Sequence, residues 1–382
     1  MLKVVVAPDK FRGSLSAPQA AHAMARGVRS VAPDTSIDEI PMADGGEGTV
    51  DALIAATAGK LQGCRVTDPL GRSIVATYGT LGDGETAVME MASASGLALI
   101  PAESRNPMVT TTRGTGELLL DAVAAGARRV ILGIGGSATN DGGAGFAQAL
   151  GYRLLDRFGR DISPGGGGLA NLDRIETTER TQLLEGVEIE IACDVANPLC
   201  GPQGASAVYG PQKGADAAMI AKLDRNLSHF ATIIERDLGL SVRDLPGAGA
   251  AGGLGAGLVA FAHGRLQPGI SLVIRTVGLE QRLADADLCF TGEGAIDASS
   301  AFGKTAVGVS RCARLKGCST IAIAGTLGEG AEDVLSEGID AVFSLCTHPM
   351  TLPEAIANAG ELLERATAQA FRAFLAGRRG KF

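Results

Sequence analysis

Short apolar segments that lead into helices occur at both ends of this chain and limit its fold most strongly. Residues 2–7 are a β-branched apolar run, which is typical of a strand buried in a parallel sheet. Ser16 and Gln19 predict a capping box for the helix that follows, and Pro33 ends that helix. The last third repeats the alternation, with predicted strands at 287–291, 320–324 and 341–345 and predicted helices at 329–338 and 353–375. This alternation favours a parallel α/β fold.

The middle of the chain has a different pattern. Residues 64–91 contain β-rich segments separated by Pro-Leu-Gly and Gly-Asp-Gly, which are hairpin signals. A chain of 382 residues is also too long for one ordinary core. We therefore predict a discontinuous α/β domain over 1–61 and 279–382, interrupted by a second α/β domain over 62–278 with antiparallel elements.

Composition excludes several classes of protein. A formal net charge of −8 argues against a nucleic-acid partner, and no apolar run approaches the ~20 residues of a membrane helix. The start turns polar too early for a signal peptide, and the seven cysteines include no Cys-x-x-Cys pair. The four histidines lack metal-ligand spacing, which argues against a zinc enzyme. We expect a cytoplasmic protein that does not bind membranes.

A sequence ending in Gly-Lys-Thr at 303–305 is similar to the end of a phosphate-binding Walker loop. The Walker pattern requires a glycine where this chain has Ala298, so the match fails. The segment still presents Glu293 between Gly292 and Gly294 at the end of a predicted strand, followed by Asp297 and Lys304.

Two glycine clusters are further candidates. The segment GIGGSATNDGGAG at 133–145 links a predicted strand to a helix, where backbone N–H groups can approach an anion. Its candidate ligands for a phosphate or a polyol are Gly135, Gly136, Ser137, Thr139, Asn140 and Asp141. The second cluster, 245–257, contains a literal Gly-x-Gly-x-x-Gly. No strand precedes it and no acidic residue follows at the expected distance, so a tight turn into a closely packed helix is favoured over a dinucleotide site.

Polar residues also follow three other predicted strands. The first set is Asp9, Lys10, Arg12 and Ser14. Asp44 lies in PMADGGEGT, and Asp194 ends the strand-like EIEIACD. Ligands bind at the carboxyl ends of strands in open α/β sheets, although a solvated loop face, an N-cap and an Asx-turn are the structural alternatives for the three sets. Basic residues, glycine loops and several acids together indicate phosphoryl transfer to a small hydroxylated anion.

The motifs resemble those of the type I glycerate kinases of bacteria over nearly the whole chain. The matching segments are APDKFRGSLS, PMADGGEGT, NPMVTTTRGTGELL, GIGGSATNDGGAG, ACDVANPLCGPQGAS, YGPQKGA, PGAGAAGGLGAG and TGEGAID. The resemblance implies a flavodoxin-like domain built from both chain ends and an inserted α/β domain with a mixed, restriction-enzyme-like sheet. It also implies ATP-dependent phosphorylation of D-glycerate, usually on the 2-hydroxyl, with Mg²⁺.

Within this resemblance we expect glycerate in the cleft between the domains. Lys10 or Arg12 would hold its carboxylate, and Asp194 would orient or deprotonate its hydroxyl, with Asp44 as the rival. Lys304 would neutralise the γ-phosphoryl group, and Glu293 or Asp297 would place Mg²⁺. Lys10 and Arg12 stand where relatives have serine and lysine, and Ala295 and Phe302 stand where they have arginine and histidine.

Three alternative functions differ in what they predict. A glycerate 3-kinase would give 3-phosphoglycerate. A nicotinamide-dependent oxidoreductase of 2-hydroxy acids would use the second glycine cluster, and a sugar-acid sensor would bind glycerate without consuming ATP. The sequence leaves the oligomeric state open, a homodimer included.

Overall fold

A computed structural model describes residues 2–302 and 304–379, without the side chains of Arg180, Thr181, Phe302 and Arg379. The strands are β1 Lys3–Val6, β2 Ser36–Glu39, β3 Lys60–Thr67, β4 Ser73–Thr80, β5 Thr86–Glu90, β6 Arg129–Gly133, β7 Arg153–Leu155, β8 Arg174–Glu176, β9 Glu188–Ala192, β10 Arg265–Gln267, β11 Leu288–Ile296, β12 Ser319–Leu327 and β13 Ala341–Ser344. The α-helices are α1 Ala17–Val31, α2 Thr49–Thr57, α3 Ala92–Ser95, α4 Arg113–Ala124, α5 Ala144–Leu150, α6 Ala205–Tyr209, α7 Ala217–Leu238, α8 Ala250–Ala262, α9 Gly269–Val277, α10 Leu279–Leu283, α11 Thr305–Leu315, α12 Leu352–Ala357 and α13 Ala359–Arg379.

The chain divides into two compact units. Unit 1 comprises Met1–Asp44, Asp51–Ala58 and Ile270–Phe382, and unit 2 comprises Gly45–Val50 and Gly59–Gly269. The domain limits predicted above, 61/62 and 278/279, stay a prediction.

Unit 1 contains a five-stranded parallel sheet in the order β13-β12-β11-β1-β2. Counted along the chain, this is the flavodoxin-like order 2-1-3-4-5, whose ligand crevice lies where the order reverses, between β1 and β11. Both faces are covered, because Ile321 and Ile323 of β12 belong to one buried cluster and Ala322 and Ala324 belong to another. The predicted flavodoxin-like sheet is therefore confirmed.

The sequence predicted some of the unit 1 helices correctly and others not. The capping box of α1 is present, since the Ser16 backbone N–H donates to Gln19 Oε1 at 2.9 Å and the Gln19 N–H donates back to Ser16 Oγ at 3.4 Å. The helix predicted at 329–338 is wrong, because only a 3₁₀ turn forms at Ala331–Leu335. The predicted final helix is interrupted at Asn358, between α12 and α13.

Unit 2 contains a six-stranded sheet in the order β10-β9-β6-β5-β4-β3. Strands β3, β4 and β5 pair antiparallel, as the hairpin signals predict, whereas β5, β6, β9 and β10 pair parallel. This confirms the predicted mixed sheet. Residues of α4, α5, α7 and α8 form the buried core of this unit together with the sheet.

Candidate active site

Four carboxylates and one lysine surround the switch point of the unit 1 sheet. They are Asp9, Asp44, Glu293, Asp297 and Lys304, and each interacts electrostatically with at least one other member. They come from three of the motifs selected in the sequence. We call this set the carboxylate cluster.

Asp9 lies just beyond β1 and is almost fully buried. Its backbone N–H donates to the Gly292 carbonyl at 2.8 Å, which continues the pairing of β1 with β11. Asp9 Oδ2 accepts the Thr305 hydroxyl at 2.5 Å, and Oδ1 accepts the Lys10 N–H at 2.6 Å. Burial, and secondarily the charge of Asp44, raise the pKa of Asp9 to about 6 against the Thr305 hydrogen bond, which lowers it. Asp9 therefore ties β1 to the start of α11.

Glu293 is the least satisfied member of the carboxylate cluster. Its Oε1 is buried and has no hydrogen-bond partner among the residues that the structure describes. Burial raises the pKa of Glu293 to about 7, the charge of Asp9 adds to the rise, and Lys304 opposes it. A buried carboxylate oxygen without a partner is expensive unless a ligand completes it.

Lys304 is the cation of this cluster. It occupies the position before the first turn of α11, and its Nζ lies 4.0 Å from Asp297 Oδ1. Asp297 also accepts the Ser299 backbone N–H at 2.8 Å, and hydrogen bonds from Ser299 lower its pKa. Helix α11 thus begins at Thr305, directly after Lys304, within the Walker-like sequence. Gly303 lies outside the described residues.

The carboxylate cluster fits Mg²⁺ held jointly with a substrate. In the described part of the chain, no three His, Cys, Asp or Glu side chains are placed to hold a metal ion. Mg²⁺ with a nucleotide commonly takes one or two carboxylates, phosphate oxygens and water. The orphaned Oε1 of Glu293 and the half-exposed carboxylate of Asp297 meet that requirement.

The other residues predicted after β1 lie on the loop that leads to α1. Lys10 is half-buried and Arg12 is exposed. Ser14 donates its hydroxyl to the Phe11 carbonyl at 3.0 Å, so it shapes the loop.

The predicted nucleotide ligands Gly292 and Gly294 are also required for packing. A Cβ on Gly292 would lie 2.0 Å from the Ile323 carbonyl oxygen, and a Cβ on Gly294 would lie 3.0 Å from the Arg12 backbone nitrogen.

The 133–145 segment runs from β6 to α5 as predicted, but its polar side chains are turned into unit 2. Asp141 is fully buried and accepts hydrogen bonds from Thr112 N–H and Oγ1 and from the N–H groups of Gly143 and Gly145. Asn140 Nδ2 donates to Ser206 at 2.9 Å. The carboxylate of Asp141 therefore organises the loop and the start of α5, whereas the buried Oδ1 of Asn140 has no hydrogen-bond partner among the described residues. The predicted roles of Asp141 and Asn140 in substrate binding stay predictions. The exposed parts of this segment are Gly135 and Gly136, while Ser137 and Thr139 are buried.

Sequence reasoning missed Lys213, which supports this segment. The side chain is 1% exposed, and its Nζ donates to the Thr139 carbonyl at 2.7 Å. Burial lowers the pKa of Lys213 to about 7, although nearby Asp141 opposes the shift. The lysine stands in YGPQKGA, so the only available signal was the resemblance.

The two glycine clusters pack on each other. The Gly142 N–H donates to the Gly252 carbonyl at 3.1 Å, and a Cβ on Gly252 would lie 1.9 Å from the Thr139 carbonyl. Gly252 also has a left-handed φ of +71° within α8. The Gly-x-Gly-x-x-Gly sequence is thus a packing element, as the favoured interpretation predicted, and among the described residues no strand leads directly into it.

Asp194 lies beyond β9 at the carboxyl edge of the unit 2 sheet. It is exposed, and its Oδ1 accepts the N–H of Gly269 at 2.8 Å. Gly45, the residue after Asp44, lies at the same edge, because its Cβ would be 2.4 Å from that of Ala192. A Cβ on Gly133 would in turn lie 2.4 Å from the Gly45 carbonyl. The segment after Asp44 therefore meets the ends of β6 and β9.

The comparison with protein families decides the identity of this fold. The model described as the glycerate kinase family matches residues 4–375. The chain belongs to the glycerate kinase family.

Individual relatives of this family cover almost the whole chain. A glycerate 2-kinase of Escherichia coli strain K12 is 50% identical over 366 residues, or 96% of each chain. A glycerate kinase of Bacillus subtilis strain 168 is 51% identical over 364 residues, or 95% of each chain. A crystal structure from Salmonella typhimurium LT2, designated glycerate kinase 2, matches with a TM-score of 0.91 at 47% identity and covers 99% of each chain. The resemblance read from the motifs is confirmed, and so is the class of enzyme, a kinase. Among the described residues, no helix is long and apolar enough to cross a membrane.

Proposed function

We propose that this glycerate kinase family member transfers the γ-phosphoryl group of ATP to the 2-hydroxyl of D-glycerate, producing 2-phosphoglycerate and ADP. The observation that carries the proposal is the carboxylate cluster with Lys304 at the switch point of a flavodoxin-like sheet. Phosphoryl transfer depends mainly on positioning and charge stabilisation, and this cluster offers acids and a cation for both.

The positively charged side chains are assigned to two anionic groups, the transferred phosphoryl group and the glycerate carboxylate. Lys304 neutralises the transferred phosphoryl group, because it is the cation nearest to Glu293 and Asp297 at the start of α11. Lys10 or Arg12 holds the glycerate carboxylate beside the end of β1. Gly135 and Gly136, exposed at the end of β6, contribute backbone N–H groups to a phosphate or to glycerate.

Mg²⁺ is the metal that the carboxylate cluster suits, with Glu293 and Asp297 as its protein ligands. When bound, it supplies positive charge to the phosphate oxygens of ATP. Asp9 supports this site by fixing Thr305 and thereby the start of α11, on which Lys304 stands.

A carboxylate takes the proton of the 2-hydroxyl. As that oxygen forms its bond to phosphorus, the bond from phosphorus to the ADP oxygen breaks, and the hydroxyl proton passes to the base. Asp194 is proposed for this role and Asp44 is the rival, since each follows the end of a strand.

The assay that tests the proposal couples product formation to enolase. D-glycerate, ATP and Mg²⁺ should give a signal with enolase alone, because 2-phosphoglycerate is its substrate. Chelation of Mg²⁺ should abolish formation of 2-phosphoglycerate when product is read directly by ³¹P NMR, since enolase itself requires Mg²⁺. A signal that also requires phosphoglycerate mutase would show a 3-kinase. Reduction of a nicotinamide cofactor by glycerate, without phosphoglycerate, would favour the oxidoreductase.

All seven cysteines are free thiols. Free thiols without disulfides fit a reducing compartment, and we propose the cytoplasm as the location.

A further inference from the structure

A cavity of about 230 Å³ opens at the carboxyl edge of the unit 1 sheet, next to the carboxylate cluster. Its floor is formed where β11, β12 and β13 end, at Gly294, Gly325 and Cys346. One wall comes from Met350 and from the short helix α12, and another comes from the loop after β1, at Phe11, Arg12 and Ser14.

The wall of this cavity includes both exposed and buried apolar side chains. Leu352 and Ile356, one helical turn apart on α12, line the cavity and are 69% and 39% exposed. Phe11 and Leu345 line the cavity and are buried. Apolar walls around a concave space at a sheet's carboxyl edge are typical of a site for a flat, weakly polar group.

The cavity is continuous with the proposed phosphate site. Gly294, at its floor, directly follows Glu293 in β11. Arg12, at its rim, makes no ion pair with any residue that the structure describes, and its backbone lies against Gly294. A ligand that lies in this cavity can therefore extend charged groups toward Arg12 and the carboxylate cluster.

We propose that this cavity binds the nucleobase of the ATP substrate, with Arg12 contacting the phosphate chain. This inference rests on the proposed kinase function. Glycerate carries no apolar surface, so the apolar lining suits the base rather than the acceptor. With Arg12 assigned to the nucleotide, Lys10 is left to hold the glycerate carboxylate.

The space itself offers the sharpest test, because it can be filled without touching the carboxylate cluster. Ala355 lines the cavity, whereas Ala357, on the same helix, is exposed and lies outside it. Ala355→Phe should occupy the space of the base, and Ala357→Phe is the matched control. Leu352→Ala is a second variant that removes apolar wall from an exposed position and therefore leaves the core intact.

The measurement is calorimetric binding of ATP with Mg²⁺ in the absence of glycerate, beside inorganic tripolyphosphate as a probe without a base. Ala355→Phe should weaken ATP binding at least roughly tenfold and leave tripolyphosphate binding unchanged. Leu352→Ala should weaken ATP binding in the same selective way, and Ala357→Phe should change neither ligand. Circular dichroism checks that each variant is folded.

Two results would overturn the inference. In one, folded Ala355→Phe and Leu352→Ala bind ATP as the unmodified protein does. In the other, they lose ATP and tripolyphosphate equally. If the unmodified protein makes 2-phosphoglycerate in either case, the nucleobase assignment fails while the kinase function stands. If the selective loss is seen but no phosphoglycerate is formed, the kinase function fails and the assignment stands.

Discussion

At the scale of single residues, burial decides what each carboxylate of this protein can do. Asp9 and Asp141 are both buried beyond nine-tenths, but their oxygens are used by Thr305 in one case and by Thr112 and two glycine N–H groups in the other. Glu293 differs, since one buried oxygen has no partner among the described residues. That difference separates carboxylates whose oxygens are held by the protein from one with an oxygen left for the proposed ligand, and the amino-acid type alone does not reveal it.

Removing the charge of the proposed proton acceptor should lower turnover strongly without unfolding the protein. Asp194→Asn should lower kcat at least ~10²-fold, the usual contribution of acid–base catalysis, while the amide oxygen keeps the hydrogen bond from Gly269. Asp44→Asn tests the rival, and Asp34→Asn, at an exposed position, is the control. Steady-state kinetics and the thermal midpoint are the measurements. Unchanged turnover in Asp194→Asn would remove Asp194 from the mechanism.

Lys213 should give the protein a distinctive dependence of stability on pH. The pKa of Lys213 is about 7 in the folded protein, against the ordinary lysine value of 10.5 in the unfolded chain. Between these two pH values the unfolded state therefore binds more protons than the folded state. Stability from this group therefore rises with pH through that window, by at most about 1.4 kcal/mol per pH unit. Below pH 7 both states are protonated and the cost of the buried charge is fully present.

Lys213→Met should remove this slope. Urea unfolding between pH 7 and pH 8.5 should show the difference in unfolding free energy, native protein minus variant, growing with pH. Lys222→Met, at an exposed position on α7, is the matched control and should show no such trend. A pH-independent difference for Lys213→Met would contradict the assigned pKa.

At the scale of elements, α8 and the 133–145 segment form one packed pair. Gly252 is constrained twice, by its left-handed φ of +71° and by the Thr139 carbonyl, which would lie 1.9 Å from a Cβ. The literal dinucleotide motif was ambiguous in sequence because glycine serves close packing and phosphate binding equally well. Only the partner surface separates the two uses.

Alanine at Gly252 should therefore destabilise the protein more than the backbone conformation alone requires. Gly239 is the matched control, because it has the same φ of +71° and nothing within 4 Å of a Cβ. Gly239→Ala should cost ~1–2 kcal/mol, and Gly252→Ala should cost ~1–3 kcal/mol more from the clash. Urea unfolding measures both. Equal losses would mean that the contact with Thr139 is not tight.

At the scale of the whole molecule, the sequence predicted the architecture better than the environment of the site. The apolar runs and the resemblance predicted a flavodoxin-like sheet formed by both chain ends, and that prediction is confirmed. The apposition of Asp9 and Glu293 depends on the pairing of β1 with β11, whose Val6 and Phe290 are far apart in sequence. The local sequence pattern contains no information on such a long-range contact. The same holds for the hydrogen bond from Lys213 to the Thr139 carbonyl. The predicted roles of Asp194, Lys304, Glu293 and Asp297 stay predictions.

The most direct test of the account follows the phosphorus atom itself. ³¹P NMR of D-glycerate, ATP and Mg²⁺ with the native protein should show the γ-phosphate signal of ATP replaced by that of 2-phosphoglycerate. Lys304→Gln, which removes the cation of the carboxylate cluster, should slow that conversion at least ~10²-fold while circular dichroism shows an unchanged fold. Formation of 3-phosphoglycerate or of inorganic phosphate alone, or a Lys304→Gln variant as fast as the native protein, would contradict the account.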